Sequence, residues 1–398
     1  MHLVARRAAE FGVEVDGPVR FNLRQAMACK DKIVKGIHDG IYSALKRRQD
    51  AITFIRGQAK FVNEHELDTG DQRLSFANAI IATGARRDIP PINGLAQVAY
   101  LTNESALQLQ ELPKRMVVVG GGYVGIEFAQ MYGRFGTQVT LLGRNPHLAP
   151  GEDPELADLL AHYLREEGIA VHTSAPVLRV RKDGTDTIVT AQVDGVERDF
   201  ACDALLLATG RIGNTEMLGL HAAGVTVQEQ GFVTVNEQLQ SSQPHIWAIG
   251  DVKGGWMFTH VATYDGPLAA LNAVKGLGRT VDYRVVPRAI FSSPTLAAVG
   301  LTEQEARTKG YEVLVGEASA MGGRSQAIGD TRGKLKAVVN KANNEILGFH
   351  VLAPHGDDLL HEAVTAMYEH GLIDRISKSI HVHPTLSELV KNAARAAR

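Results

Sequence analysis

From Met116 to Val119 the chain is uninterruptedly apolar; it then breaks into glycines and settles into apolar positions three to four residues apart. The unbroken run predicts a parallel strand buried on both faces. The spaced set Ile126, Phe128, Ala129 and Tyr132 predicts a helix with that side turned inward, and Gly136 predicts its end. Val139 to Leu142 predicts a second strand, which completes a βαβ unit.

Elsewhere the pattern is less regular. Residues 1 to about 20 predict a helix cut short before a polar turn at Asp16-Gly17-Pro18. Asn22 is a suitable N-cap for a long amphipathic helix to about Arg48, with Met27, Ile33, Ile37, Ile41 and Leu45 as its apolar face. Four short strands should follow as an antiparallel meander: Ile52–Arg56, Ala59–Val62, Glu66–Thr69 and Arg73–Phe76. The apolar run from Ala79 ends in Ala82-Thr83-Gly84, and a second run from Ala204 ends in Ala208-Thr209-Gly210. Two apolar strands with the same ending suggest two related nucleotide-binding halves. Between them a helix is expected within Pro150–Gly168, then strands over Val177–Arg181, Thr187–Val193 and Arg198–Ala201.

A further short strand, through Ile246, Trp247 and Ala248, delivers Asp251 at its carboxyl end. Open α/β sheets bind ligands at that end, so Asp251 could accept hydrogen bonds from a ribose or ribitol hydroxyl. The alternative is an N-cap for the helix containing Val261–Val274. From about Val285 the texture turns to α+β, with strands at Ala289–Phe291, Lys334–Asn340 and Ile346–Val351 and helices at Thr302–Lys309 and Gly356–Glu369. A terminal helix should bury Leu389, Val390 and Ala393.

Composition narrows the class. A chain of 398 residues should hold two or three domains, and 44% apolar with 22% charged residues fits an ordinary globular protein. A net charge of −2 offers no basic footprint for nucleic acid or a membrane surface. No apolar run reaches the ~18–20 residues of a membrane span. No signal-peptide pattern opens the chain, and Cys29 and Cys202 stand far apart without ligand or redox spacing. A cytoplasmic protein with reduced structural thiols is expected.

The glycines between the first strand and helix carry the clearest chemistry. Gly120, Gly122 and Gly125 stand at G-x-G-x-x-G spacing. The first permits a tight turn, the second lets the backbone approach a pyrophosphate, and the third lets helix and strand pack closely. Helix-start N–H groups then hold the phosphate charge. An acid at the end of the second strand would bind the ribose 2′-OH of NAD(H), but Gly143 and Arg144 stand there instead. A guanidinium suits a 2′-phosphate, so NADP(H) is favoured over NAD(H).

Four ordered elements together resemble the FAD-dependent pyridine nucleotide–disulfide oxidoreductases. These are the two Ala-Thr-Gly strand ends, the glycine motif between them, the strand Ser242-x-Pro244-x-Ile246-Trp247-Ala248-x-Gly250-Asp251, and His383-Pro384-Thr385 with Glu388. The family includes dihydrolipoamide dehydrogenase, glutathione reductase and mercuric reductase, and the likeness covers essentially the whole chain. It implies an α/β fold with an FAD domain over 1–97 and 223–286, an NAD(P) domain over 98–222 and an α+β dimerisation domain over 287–398. It further implies that Gly57, Thr83, Gly84, Asp251 and Met257-Phe258-Thr259-His260 border FAD, and that Gly120, Gly121, Gly122, Tyr123, Val124, Gly125, Ile126, Glu127, Arg144 and Gly210 border the pyridine nucleotide. His383, oriented by Glu388, would carry the thiol proton in the partner subunit of a homodimer. On the residues alone an equal reading is local: Pro384 at helix position N1 and Thr385-x-x-Glu388 as a capping box.

The family pattern also begins with a glycine turn for the FAD pyrophosphate and a C-x-x-x-x-C redox pair, and this sequence contains neither. The expectation is therefore an N-terminally shortened NAD(P)H:disulfide oxidoreductase, and the missing parts count against disulfide turnover by this chain alone. Residues 141–145 look like mercuric reductase, whereas His383-Pro384-Thr385 looks like dihydrolipoamide dehydrogenase or glutathione reductase, so the acceptor stays open. Two alternatives stand beside it: a flavin-dependent NAD(P)H dehydrogenase reducing a quinone or metal, and a catalytically silent nucleotide-binding dimer remnant.

Overall fold

All four residues from Met116 to Val119 are buried because a layer lies on each side of their strand. In the computed structural model, which describes residues 7–397, the strands Arg115–Val119, Gln138–Leu142, Ala170–His172 and Ala204–Leu207 form a parallel sheet. Their order across the sheet is 204–207, 115–119, 138–142, 170–172. Met116, Val118, Leu141 and Leu206 pack with the helices Tyr123–Phe135 and Pro154–Glu166. Val117, Val119, Leu142, Leu205 and Leu207 share a second core with Val180, Val189 and Ala191. Those last three belong to an antiparallel ribbon of Val177–Asp183, Asp186–Val193 and Val196–Cys202. Two covered faces explain why the strand needs no polar alternation.

The chain divides into two compact units. The first holds the chain up to Met27, the segment Ile89–Thr209 and everything from Arg284 onward. Its C-terminal part is a five-stranded antiparallel sheet, ordered Arg288–Ile290, Thr295–Gly300, Ile346–Ala353, Lys334–Asn340, Val313–Ser319. The terminal helix Ser387–Ala396 buries Leu389, Val390 and Ala393 against it. A Cβ on Gly316 would meet the carbonyl of Ala393 at 2.2 Å, so the helix lies directly on the strand. Ile290, Leu296 and Leu352 of this sheet join the same core as the helix Tyr123–Phe135.

The second unit comprises Ala28–Asp88 and Gly210–Tyr283. It contains the meander Lys60–Asn63, Glu66–Asp68 and Arg73–Ser75 and a parallel pair, Ala79–Ile81 with Ile246–Ala248. Ala85–Arg87 pairs antiparallel with Arg211–Gly213, and the helix Thr259–Lys275 follows. Phe61, Ile81, Leu220, Val233, Ile246 and Val252 form its core.

The α/β class and the α+β texture after Val285 are as expected, with several local corrections. The predicted first helix is a single 3-10 turn, Ala8–Phe11, and its first six residues lie outside the described ones. Asn22 does cap the helix Leu23–Lys46, its side chain accepting from the Gln25 N–H at 3.1 Å. Met27 of its apolar face is buried, but the middle of that face is uncovered: Ile33, Ile37 and Ile41 are each about 60% exposed. Ile52–Arg56 forms no strand, because no neighbouring strand offers it a ladder of hydrogen bonds. Five strands among the described residues went unread: Ala85–Arg87, Ala170–His172, Arg211–Gly213, Thr295–Gly300 and Val313–Ser319. Among the described residues no helix is long and apolar enough to cross a membrane.

Candidate functional site

The turn after Arg115–Val119 is built by close contacts. Gly120 has φ +122°, and a Cβ there would meet the Ala208 carbonyl at 2.1 Å. On Gly125 a Cβ would meet the Gly120 carbonyl at 1.8 Å, so the helix Tyr123–Phe135 starts pressed against its own loop. Gly122 is the helix N-cap and differs from both, because nothing lies within 4 Å of a Cβ placed on it. The two tight glycines make the bend and the third leaves it open. A helix start whose first N–H groups have no acceptor within the helix, beside an N-cap that faces open space, is a seat for an anion. The bend is tied to the next strand by the Gly120 N–H donating to the Leu142 carbonyl at 2.9 Å, and to the loop after that strand by the Ala149 N–H donating to the Gly121 carbonyl at 2.7 Å.

The following side chains have separate environments. Val124 is partly buried, while Ile126 is wholly buried and serves the core. The Glu127 carboxylate accepts the Phe291 N–H at 2.9 Å, and burial pushes its pKa above the ordinary carboxylate range. Tyr123 donates its hydroxyl to Glu152, which also accepts from Arg288 Nε at 2.7 Å. Burial first, and then the Glu152 charge, raises the phenol pKa well above its usual value. Arg288 and Glu152 are each about 5% exposed at the side chain, so a buried ion pair links the turn before the helix Pro154–Glu166 to the C-terminal sheet. Sequence reading missed it because the partners are 136 residues apart. Arg144 stands exposed at the end of Gln138–Leu142, one residue after Gly143, whose Cα lies 3.3 Å from the Cβ position of Gly121.

In the second unit, Asp251 lies in the 3-10 turn Gly250–Lys253 after Ile246–Ala248. Asp251 does not cap the next helix, which starts at Thr259 with Phe258 as its N-cap. Asp251 pairs with Arg211 at 3.2 Å. The turn is fixed from below by Asp265, which is fully buried and accepts from the Gly250 N–H at 3.1 Å and the Tyr283 hydroxyl at 2.6 Å, with Lys253 Nζ at 3.5 Å. Thr83 and Gly84 are stapled to Asn214. The Thr83 hydroxyl donates to the Asn214 carbonyl, and the Asn214 amide donates back to the Thr83 carbonyl, both at 2.9 Å. Gly57 sits where a Cβ would meet the Thr69 carbonyl at 2.7 Å. Gly210 opens the strand Arg211–Gly213, and its carbonyl accepts the Asp88 N–H. Met257 is partly buried, Thr259 is exposed, and the Phe258 and His260 rings stack at 5.2 Å.

At the C-terminal end, His383 Nδ1 lies 3.0 Å from both oxygens of Glu388. Next to a carboxylate that nitrogen must be the protonated one, which leaves Nε2 outward on a ring 78% exposed. Hydrogen bonds from His383 and then the Thr385 N–H hold the Glu388 carboxyl below its ordinary range. The local reading is half right. Glu388 does accept from the Thr385 N–H, but the Thr385 hydroxyl donates to Val382 instead of capping, and the helix starts at Ser387, so Pro384 is not its first residue. A groove of about 460 Å³ lies alongside, lined by Arg324, Ile328, His355 and Pro384 through Ser387. Cys29 is exposed and Cys202 buried, both free; burial pushes the Cys202 thiol up to about 11.

Comparison with known proteins agrees over nearly the full length. Residues 4–266 match the model of the pyridine nucleotide-disulphide oxidoreductases, and residues 286–394 match the dimerisation domain of the same group. A mercuric reductase from Staphylococcus aureus is 35% identical over 374 residues, spanning 94% of this chain and 68% of its own length. A dihydrolipoyl dehydrogenase from Geobacillus stearothermophilus is 34% identical over 399 residues, 99% of this chain and 84% of its own. Among solved structures, the HOCl-induced flavoprotein disulfide reductase RclA from Escherichia coli superposes with a TM-score of 0.87 at 30% identity, covering 95% of this chain and 87% of that one.

Proposed function

Because the chain belongs to the pyridine nucleotide-disulphide oxidoreductase family, we propose that it is an NAD(P)H:disulfide oxidoreductase that acts as a homodimer. The observation that carries this reading is the His383–Glu388 pair at 3.0 Å, in a chain whose glycine bend is open at Gly122. The bend Gly120–Gly125 would bind the pyrophosphate through backbone N–H groups, with Arg144 facing a 2′-phosphate; this favours NADPH. His383, its Nδ1–H fixed by Glu388, would exchange a proton at Nε2 with a substrate thiol across the dimer. The chain would divide into an FAD domain over 1–97 and 223–286, an NAD(P) domain over 98–222 and a dimerisation domain over 287–398.

FAD is the family's cofactor, and when bound it supplies the hydride acceptor. Of the residues that would hold it, Asp251 fits a ribitol hydroxyl: it is a carboxylate at a strand's carboxyl end, held by an exposed arginine that a ligand can displace. The two-stranded parallel pair Ala79–Ile81 and Ile246–Ala248 carries no glycine turn for the pyrophosphate end. The cradle fits one end of the cofactor only.

One observation favours a second reading. Neither Cys29 nor Cys202 is paired, and the Cys202 thiol is buried and poorly ionised, which suits electron transfer to a quinone or metal without a redox disulfide. Steady-state assays on the purified protein supplied with FAD separate the two. If His383→Gln removes most NADPH-driven disulfide reduction, the first reading stands. If turnover is confined to quinones and is unchanged by the substitution, the second does.

A further inference from the structure

The segment that carries His383 is held by side chains. Among the described residues, no backbone N–H from Ile380 to His383 donates to another backbone group, in contrast to Ser379 before it. Ile380 and Val382 are 98% and 75% exposed. Between them His381 turns the other way: its side chain is only 6% exposed, and Nε2 lies 2.8 Å from Glu362 Oε1 on the helix His361–Tyr368. Nδ1 lies 3.3 Å from both the hydroxyl and the carbonyl of Ser379, and that hydroxyl donates to the Ile376 carbonyl at 2.8 Å. Downstream the segment is held by Glu388, which takes His383 Nδ1 and the Thr385 N–H, and by the Thr385 hydroxyl on the Val382 carbonyl. Those downstream bonds tie the segment to the start of the terminal helix Ser387–Ala396, whereas among the described residues His381 ties it to a second helix, His361–Tyr368.

We propose that His381, clamped by Glu362, is a positioning residue that fixes the strap bearing His383 and so sets where that imidazole stands. The inference rests on His383 being the proton-transfer residue of the proposed function. A strap with two exposed apolar side chains and no backbone ladder has many conformers of similar energy, and one buried imidazole bond selects among them. His381 also lies near enough for its charge to lower the Glu388 carboxyl, which places the two histidine–glutamate pairs in one electrostatic neighbourhood. Proton transfer tolerates little displacement, since a misplacement of about 1 Å from a remote change can cost on the order of 100-fold in rate.

The test is ¹⁵N-histidine NMR on the purified protein, reading the His383 ring nitrogens, with amide exchange at Thr385 as a second signal. In the wild type His383 shows one tautomer, protonated at Nδ1, and a protected Thr385 amide. His381→Ala and Glu362→Ala should both average the His383 tautomers and speed Thr385 exchange by about tenfold or more, consistent with local opening. Glu362→Gln, whose amide oxygen still accepts from Nε2–H, should keep the wild-type spectrum. Glu362 is one-third exposed, so its variants keep the fold if the core substitution does not. In a turnover assay the alanine variants should lower kcat for the disulfide and leave the KM for NADPH unchanged. Unchanged His383 signals in Glu362→Ala, or lost signals in Glu362→Gln, would overturn the assignment. Unchanged disulfide turnover in His383→Gln would instead sink the proposed function, and the spectra would still decide the anchor.

Discussion

Both carboxylate oxygens of Glu388 stand 3.0 Å from Nδ1 of His383, and one of them also accepts the Thr385 N–H. The carboxylate therefore does two jobs at once, orienting an exposed imidazole and tying down the approach to the terminal helix. Its side chain is still about one-third exposed, so its value lies in geometry more than in stability.

A pH prediction follows from the same pair. The folded pKa of Glu388 is depressed, chiefly by the His383 bond and then by the Thr385 N–H. A depressed carboxyl contributes its stabilisation above the unfolded value and loses it as pH falls through the folded one. The orienting bond should thus persist at neutral and mildly acidic pH and fail only below the ordinary carboxylate range. A ¹³C titration of the Glu388 side chain should show a midpoint below 4.5 that moves upward in His383→Gln. A midpoint at or above the ordinary value in the wild type would contradict the geometry.

The buried Glu152 links Tyr123 of the glycine-bend helix to Arg288 of the C-terminal sheet. Glu152→Ala strips a buried phenol and a buried guanidinium of one shared acceptor, which should cost about 3–5 kcal/mol. Replacing the ion pair together by Glu152→Leu with Arg288→Met should recover the part of that loss owed to the unpaired guanidinium. Urea denaturation midpoints check both. A double replacement as unstable as the single one would show that the ion pair itself is favourable.

How far the sequence shows such features depends on their spacing along the chain. The glycine bend is legible because all its parts lie within about ten residues and each glycine has a local task. His383 and Glu388 are legible for the same reason, five positions apart. Glu362 and His381 are 19 apart on different elements, and no periodicity marks them as partners. The helix Leu23–Lys46 shows a different limit: an apolar stripe of Ile33, Ile37 and Ile41 says that a face exists and nothing about whether it is covered. Ile52–Arg56 has the composition of a strand, yet pairing requires a neighbour that composition cannot supply.

Cofactor choice should respond to Arg144. Arg144→Ala should weaken NADPH binding by about 10–100-fold, the worth of one charge-assisted hydrogen-bond pair, and leave NADH nearly unchanged. Calorimetric titration of both nucleotides reads this directly. An equal loss for the two would assign Arg144 to something other than the 2′-phosphate.

Gly120 and Gly122 should behave oppositely on substitution. At Gly120 an alanine meets the Ala208 carbonyl at 2.1 Å in a left-handed backbone, and should cost about 2–4 kcal/mol. At Gly122 the backbone is extended and the space is empty, so the fold should not notice.

That contrast supplies the sharpest test of the nucleotide seat on which the rest depends. Calorimetric titration of NADPH into the wild type and Gly122→Val, at matched thermal stability, is the measurement. The account predicts saturable binding to the wild type and none detectable in the variant, because the new side chain fills the space a pyrophosphate must enter. Equal NADPH affinity in the two proteins would contradict it.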